Sequence, residues 1–260
     1  MIRRPLALVL ALGLLLGACT SSGAADPGDP AEGSGAEVDV GDTVSEEPEE
    51  PEPDRLLPEG VDMVADPRER YTPMYDEAGD RKVAYAFDTR NDTGDLAPML
   101  VVGATRRDGE PWYEVLLPLR PNGTSAWVRE RDVKLRERTE RIEVDLSKRT
   151  LDYLVGGEVA ERFHVGIGTD EFPTTTGDFY VYVKVPYDNP NQPYGIMALG
   201  LSGFSRVITD WPGGGRIAVH GTPYASNRGE AVSHGCVRVY NEDMESLIDV
   251  PLGTPVIISE

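Results

Sequence analysis

Thiols are scarce in this chain. Among 260 residues there are two cysteines, Cys19 and Cys236, and histidine is almost as rare at three. If Cys19 is lost or modified, no intramolecular disulfide can form, and Cys236 is left as a lone thiol that needs either burial or a task. Positive charge is also short. Lys and Arg number 25 against 45 Asp and Glu, for a net charge of −20. That balance argues against a polyanionic nucleic-acid partner. No apolar run is long enough to span a bilayer. The run Pro5–Leu16 falls short of the ~20 residues a helix needs. Over 20–60 there are almost no aromatic or large aliphatic side chains, so no core can form there.

Residues 1–18 contain Arg3 and Arg4, then that Leu- and Ala-rich run, the order of a secretory signal. Leu16-Gly17-Ala18-Cys19 follows and resembles the bacterial lipobox, in which cleavage before the Cys exposes it for lipidation. The resemblance implies a lipid-anchored protein at Cys19, on the outer face of a membrane and facing the cell wall. Acyl chains contribute ~0.8 kcal/mol per buried methylene to such an anchor. Residues 19–62 are expected to be an acidic, Pro- and Gly-rich linker kept extended by charge repulsion. Thirteen acidic residues and one Arg over 20–60, with two Arg before them, leave −10 for 61–260.

Over 63–137 the chain reads as a small all-β unit. Strands are expected at Arg81–Phe87, Met99–Thr105, Trp112–Leu119 and Ser125–Val133, separated by turn material such as Asn91-Asp92-Thr93-Gly94 and Pro121-Asn122-Gly123. The series Trp112-Tyr113-Glu114-Val115, Asn122-Gly123, Ala126-Trp127-Val128 resembles bacterial SH3-like domains. Trp112, Tyr113 and Trp127 are expected to be barrel core. From Glu140 the alternation is cleaner. Ile142, Val144 and Leu146 share a face, as do Leu151, Tyr153 and Val155, and Gly156-Gly157 turns the chain into the next strand. Phe179, Val181, Val183 and Val185 continue the pattern, with further strands expected at Gly195–Leu201, Arg216–Val219 and Pro255–Ser259. Only Asn241–Ile248 reads as helical, with Asn241 as its cap. The fold class is therefore mainly β: a small barrel followed by a β-sandwich-like domain over 140–260 with few short helices.

Chemistry concentrates in Arg216–Asn241, RIAVHGTPYASNRGEAVSHGCVRVYN. A strand delivers His220, and Cys236 lies sixteen residues further on, beyond a polar loop long enough to fold back. A thiol of pKa near ~8.5 is mostly neutral at neutral pH, and its thiolate is the nucleophile. An adjacent imidazole can take that proton, hold an ion pair and return the proton to a leaving amine. Gly235 allows close approach of backbone to a carbonyl substrate, and nearby N–H groups can stabilise an oxyanion. No Asp or Asn lies in an obvious position to orient His220, so a backbone carbonyl near Gly221 is the candidate.

His220-Gly221, then Ser233-His234-Gly235-Cys236-Val237-Arg238, resembles the signature of the L,D-transpeptidase catalytic domain (YkuD family). Phe163-x-Val165-x-x-Gly168 and Pro173-Thr174-Thr175-Thr176-Gly177-Asp178-Phe179 match its upstream elements loosely, with Pro173 ahead of the threonines. The resemblance covers 140–260. It implies that Cys236 attacks the third residue of a peptidoglycan tetrapeptide stem and releases D-Ala, with His220 moving the proton. His234 and Ser233 would shape the site, Gly235 and Cys236 N–H groups would form an oxyanion hole, and Arg238 would steady the loop or a substrate carboxylate. An amine of a second stem would complete a 3→3 cross-link with no cofactor and no metal. Carbapenems are implied inhibitors.

Water as acceptor would instead give an L,D-carboxypeptidase, and a free D-amino acid an exchange enzyme. Zinc on His220, His234 and Cys236 is the metal alternative, lacking a fourth ligand. A non-catalytic wall-binding lipoprotein is the other. His164 has no acid–base partner in sequence and is expected at the surface. Tyr180 and Tyr182 are expected as ordinary strand residues.

Overall fold

The structure is a computed structural model that describes residues 56–211 and 213–260. The expected signal, Cys19 and nearly all of the acidic linker lie outside the described residues. The described residues belong to one compact unit.

The fold is mainly β. The first part contains β1 (Asp62–Pro67), β2 (Tyr71–Met74), β3 (Tyr85–Asp88), β4 (Met99–Arg107), β5 (Glu110–Leu116), β6 (Ser125–Arg129) and β7 (Val133–Arg138). Five of them form a sheet in the order β6-β5-β4-β1-β7, and β2 pairs with β3. The expected single strand Ser125–Val133 is broken by a 3-10 turn at Glu130–Asp132. The turn has a purpose in the topology. It passes the chain from one edge strand, β6, to the other, β7, and three residues span only about 10 Å, so the sheet must curl until its edges approach. β1 and β2 lie outside the expected strands, because Asp62, Asp66 and Pro67 interrupt the apolar alternation. β1 begins at Asp62, the last residue of the expected linker, and Leu56 and Leu57 already pack on this core. Trp112 and Tyr113 are buried, and Trp127 is half-buried.

The second part contains β8 (Glu140–Asp145), β9 (Thr150–Val155), β10 (Glu158–His164), β11 (Ile167–Gly168), β12 (Gly177–Pro186), β13 (Met197–Phe204), β14 (Arg216–Thr222), β15 (Ala231–Ser233), β16 (Val237–Tyr240) and β17 (Pro255–Ser259). Eight form a mixed sheet in the order β10-β9-β8-β17-β12-β13-β14-β16, and β11 pairs with β15. One core draws on both ends of that sheet, with Ile142, Val144 and Leu151 from one end and Ile217, Val219, Val237 and Val239 from the other. The ends also meet directly, through a bridge between Gly166 and Arg238. The sheet thus folds over its own apolar face in a sandwich-like arrangement. Each of these side chains contributes roughly 1.5–3 kcal/mol through burial.

A further 3-10 turn lies at Ala225–Asn227, and among the described residues the one α-helix is α1 (Asn241–Met244), continued by the 3-10 turn Glu245–Leu247. Asn241 does not cap it. Tyr240 occupies that position, and the Asn241 amide instead accepts from Ile196 N–H at 3.3 Å and donates to the Pro190 carbonyl at 2.9 Å. A loop some fifty residues upstream in sequence competes for that side chain and wins. Among the described residues no helix is long and apolar enough to cross a membrane.

Tyr180 and Tyr182 join the two parts. They share a buried cluster with Val64, Ala97 and Leu100 from the first part. Tyr182 Oη donates to the Arg90 carbonyl at 2.9 Å, and Tyr180 Oη donates to the Leu116 carbonyl at 3.3 Å. Apolar ring and satisfied hydroxyl together make a specific contact. His164 is exposed.

Candidate active site

Parallel pairing of β14 with β16 builds the site. The register sets Val219 beside Val237 and His220 beside Arg238. Side chains alternate across a strand, so the valines enter the core while His220 and Arg238 face the opposite side. Cys236 stands one residue before β16 and falls on the His220 side. A cavity of about 250 Å³ opens there, lined by Pro193, Tyr194, Trp211, His220, Ser233, His234, Cys236 and Arg238.

His220 is buried, and its Nδ1 lies 2.7 Å from the Gly221 carbonyl oxygen. A carbonyl only accepts, so Nδ1 carries the hydrogen and Nε2 presents a lone pair to the cavity. Burial lowers the imidazole pKa to about 4, with the charge of Arg238 acting in the same direction and the Gly221 bond opposing. Burial raises the Cys236 thiol, against weaker opposing effects of an Ala218 backbone hydrogen bond and Arg238. Burial thus pushes both groups toward their neutral forms. The imidazole can then act as a general base at the moment of attack.

Ser233 holds the turn that delivers the thiol. Its Oγ donates to the Cys236 carbonyl at 2.6 Å and accepts from Gly235 N–H at 3.1 Å. Gly235 has φ of 109°, a left-handed conformation that disfavours any side chain. Its N–H is already committed to Ser233, so of the two expected oxyanion donors only that of Cys236 remains a candidate. Gly221 is needed for a different reason. A Cβ there would lie 2.6 Å from Asn241 Oδ1.

Arg238 donates from Nη1 to Asn227 Oδ1 at 3.2 Å, while its buried Nε has no partner. It is therefore a cation anchored at one end beside the thiol, with no ion-pair carboxylate among the described residues. His234 is exposed and lies 4.7 Å from Phe172 and 5.3 Å from Trp211, ring centre to ring centre. Tyr194 meets His220 edge-on at 4.9 Å and stacks on Tyr187. Sequence reasoning did not single out Tyr194 or Trp211, and it read Asn227 only as loop and Asn241 only as a helix cap. A large aromatic stranded in a Pro- and Gly-rich loop, as in Pro193-Tyr194-Gly195 and Trp211-Pro212-Gly213, was the available signal. Among the described residues no three His, Cys, Asp or Glu side chains converge to hold a metal ion.

The L,D-transpeptidase catalytic domain model of the YkuD family matches residues 139–258. The putative L,D-transpeptidase YqjB of Bacillus subtilis is 32% identical over 131 residues, 45% of this chain and 70% of that protein. The chain belongs to the YkuD L,D-transpeptidase family. The putative L,D-transpeptidase YkuD of the same organism is 31% identical over 119 residues, and this chain spans 65% of its length. The catalytic domain of the Enterococcus faecium L,D-transpeptidase, acylated by ertapenem, is 25% identical over 47% of this chain and 98% of that one, with a TM-score of 0.36. In this L,D-transpeptidase domain, His220, Ser233, His234, Cys236 and Arg238 all border one cavity, and Gly221 and Gly235 shape the backbone beside it.

Proposed function

We propose that this protein is a peptidoglycan L,D-transpeptidase that forms 3→3 cross-links through a thioester on Cys236. One observation carries the reading: His220, its Nδ1 pinned by the Gly221 carbonyl, shares a cavity with the half-buried thiol of Cys236. Nε2 accepts the thiol proton as Sγ attacks the carbonyl of the third residue of a tetrapeptide stem. The Cys236 N–H is a donor for the resulting oxyanion. Collapse breaks the peptide bond, and His220 returns the proton to the departing D-Ala amine. The amine of a second stem then loses a proton to His220, attacks the thioester and restores the thiol. A positioned general base is worth about 10²- to 10⁴-fold in such steps. Arg238, beside the thiol and without an ion-pair carboxylate among the described residues, is the group to attract a stem carboxylate.

The same chemistry makes Cys236 the expected target of carbapenems. No step calls for a metal or an organic cofactor, and activity should survive a chelator. We assign 63–137 to an SH3-like domain, on its curled five-stranded sheet. The signal at 1–18, lipidated Cys19 and acidic linker would set the enzyme outside the cytoplasm, anchored to the membrane and facing the wall. Trp112 and Tyr113 are buried, so neither offers a surface for the wall-binding alternative. Incubation with a disaccharide-tetrapeptide donor tests the reading. Wild type should release D-Ala and Cys236→Ala should not; equal release by both would overturn it.

A further inference from the structure

The connection between β5 and β6 belongs to the first sheet, yet its side chains grip a loop of the catalytic part. Arg120 donates from Nη1 to the Ser205 carbonyl at 2.8 Å, and from Nη2 to the carbonyls of Ile208 at 3.1 Å and Gly214 at 2.8 Å. Its guanidinium lies over the Phe204 ring at 4.8 Å. Two residues on, Asn122 pairs with the Phe204 backbone in both directions, at 2.8 and 2.9 Å. The gripped segment, 205–215, joins β13 to β14 and carries Trp211 at its tip.

The loop closes around Arg120. Ser205 N–H donates to the Gly215 carbonyl at 2.8 Å, and Ser205 Oγ accepts from Ile208 N–H at 3.0 Å. Gly215, at φ 75°, is packed so tightly that a Cβ would meet the Ile208 oxygen at 2.0 Å and Arg120 Nη2 at 3.2 Å. Three carbonyl dipoles converge on one planar fork of N–H donors. Remove the fork and they face one another unpaired, so the loop must rearrange. At the far end Trp211 borders the cavity of Cys236 and His220 and packs against His234.

We propose that Arg120 is a positioning residue. Through it the first β unit braces the Trp211 loop and so sets one wall of the donor-peptide site. The unit then has a role inside the enzyme, independent of any affinity for the wall. The part of this inference that concerns turnover rests on the transpeptidase reading; the bracing itself does not.

Two measurements on the full-length protein test it. Arg120→Ala should lower kcat/KM for the tetrapeptide donor about tenfold, mainly through KM, since small misplacements of a site wall carry costs of that order or more. Alkylation of Cys236 by iodoacetamide, which needs only the thiol, should stay within about twofold of wild type. Trp211→Ala should cause a similar loss, and adding Arg120→Ala to it should cost nothing more, the signature of two residues acting as a unit. Independently of turnover, acrylamide quenching of tryptophan emission should rise in Arg120→Ala, and that rise should vanish in a Trp211→Phe background. Arg120→Lys keeps the charge and the packing on Phe204 but cannot span three carbonyls; it should shift quenching the same way by less. Unchanged quenching in both Arg120 variants, or additive losses with Trp211→Ala, would overturn the brace. A wild-type protein inert toward every stem peptide would overturn the transpeptidase reading instead, and the quenching comparison would still decide the brace.

Discussion

His220 Nδ1 and the carbonyl oxygen of Gly221, the very next residue, stand 2.7 Å apart. A backbone oxygen here does what a carboxylate does in many catalytic triads, fixing the tautomer without adding charge. The imidazole therefore has one fixed face and one working face. Replacing it by glutamine keeps a neutral polar side chain of similar length and removes the base. His220→Gln should stay folded, by circular dichroism and melting temperature, and lose about 10²- to 10⁴-fold in kcat.

The pH profile follows from the same burial. His220 is a competent base only when neutral, and its pKa is lowered to about 4. The acidic limb of kcat/KM should accordingly fall near pH 4 and not near 6.5, the ordinary value for histidine. The same shift affects stability. Between pH 6.5 and 4 the unfolded chain binds a proton that the folded chain refuses, so stability is present above 6.5 and lost as the pH falls toward 4. Urea titrations of wild type and His220→Gln should diverge across that window, with wild type losing more.

Ser233 ties the nucleophile's turn through one hydroxyl. Ser233→Ala leaves the Cys236 carbonyl and the Gly235 N–H without their partner in a buried place. That should cost about 1–3 kcal/mol of stability, read by chemical denaturation. Acylation by a carbapenem, followed by mass spectrometry, should slow as well, because the thiol loses its fixed approach.

Gly221 and Asn241 are coupled by contact. Gly221→Ala places a methyl 2.6 Å from Asn241 Oδ1 and should lower both melting temperature and activity. Asn241→Ala in that background removes the obstructing amide. The double variant should recover part of the melting temperature while its KM stays raised, since the loop that carries Tyr194 loses its ties to Asn241.

Much of this architecture is written in local pattern. Pro255–Ser259 forms a strand with the bounds expected of it, and Ile142, Val144 and Leu151 enter the core because a half-buried strand must alternate. Cys236 and His220 stood out because thiols and imidazoles are rare here and the motif around them is dense. What sequence hides is long-range competition. Asn241 looks like a helix cap, but the 190–196 loop takes its amide. Ser125–Val133 looks like one strand until the topology requires a corner at Glu130–Asp132. The Gly235 N–H looks available for an oxyanion until Ser233 is seen to hold it. Tyr180 and Tyr182 read as plain strand residues because their partners lie more than sixty positions away. Arg120 and Trp211 belong to the same class, since no local period links position 120 to a loop at 205–215.

The central claim is that the thioester on Cys236 is passed to the amine of a second stem. The most direct measurement is mass spectrometry of muropeptides after the purified protein acts on disaccharide-tetrapeptides. The account predicts a new dimer, joined between the third residues of both stems and lacking one D-Ala, formed by wild type and absent with Cys236→Ala. Tripeptide monomers alone, or a dimer formed equally well by the Cys236→Ala variant, would contradict it.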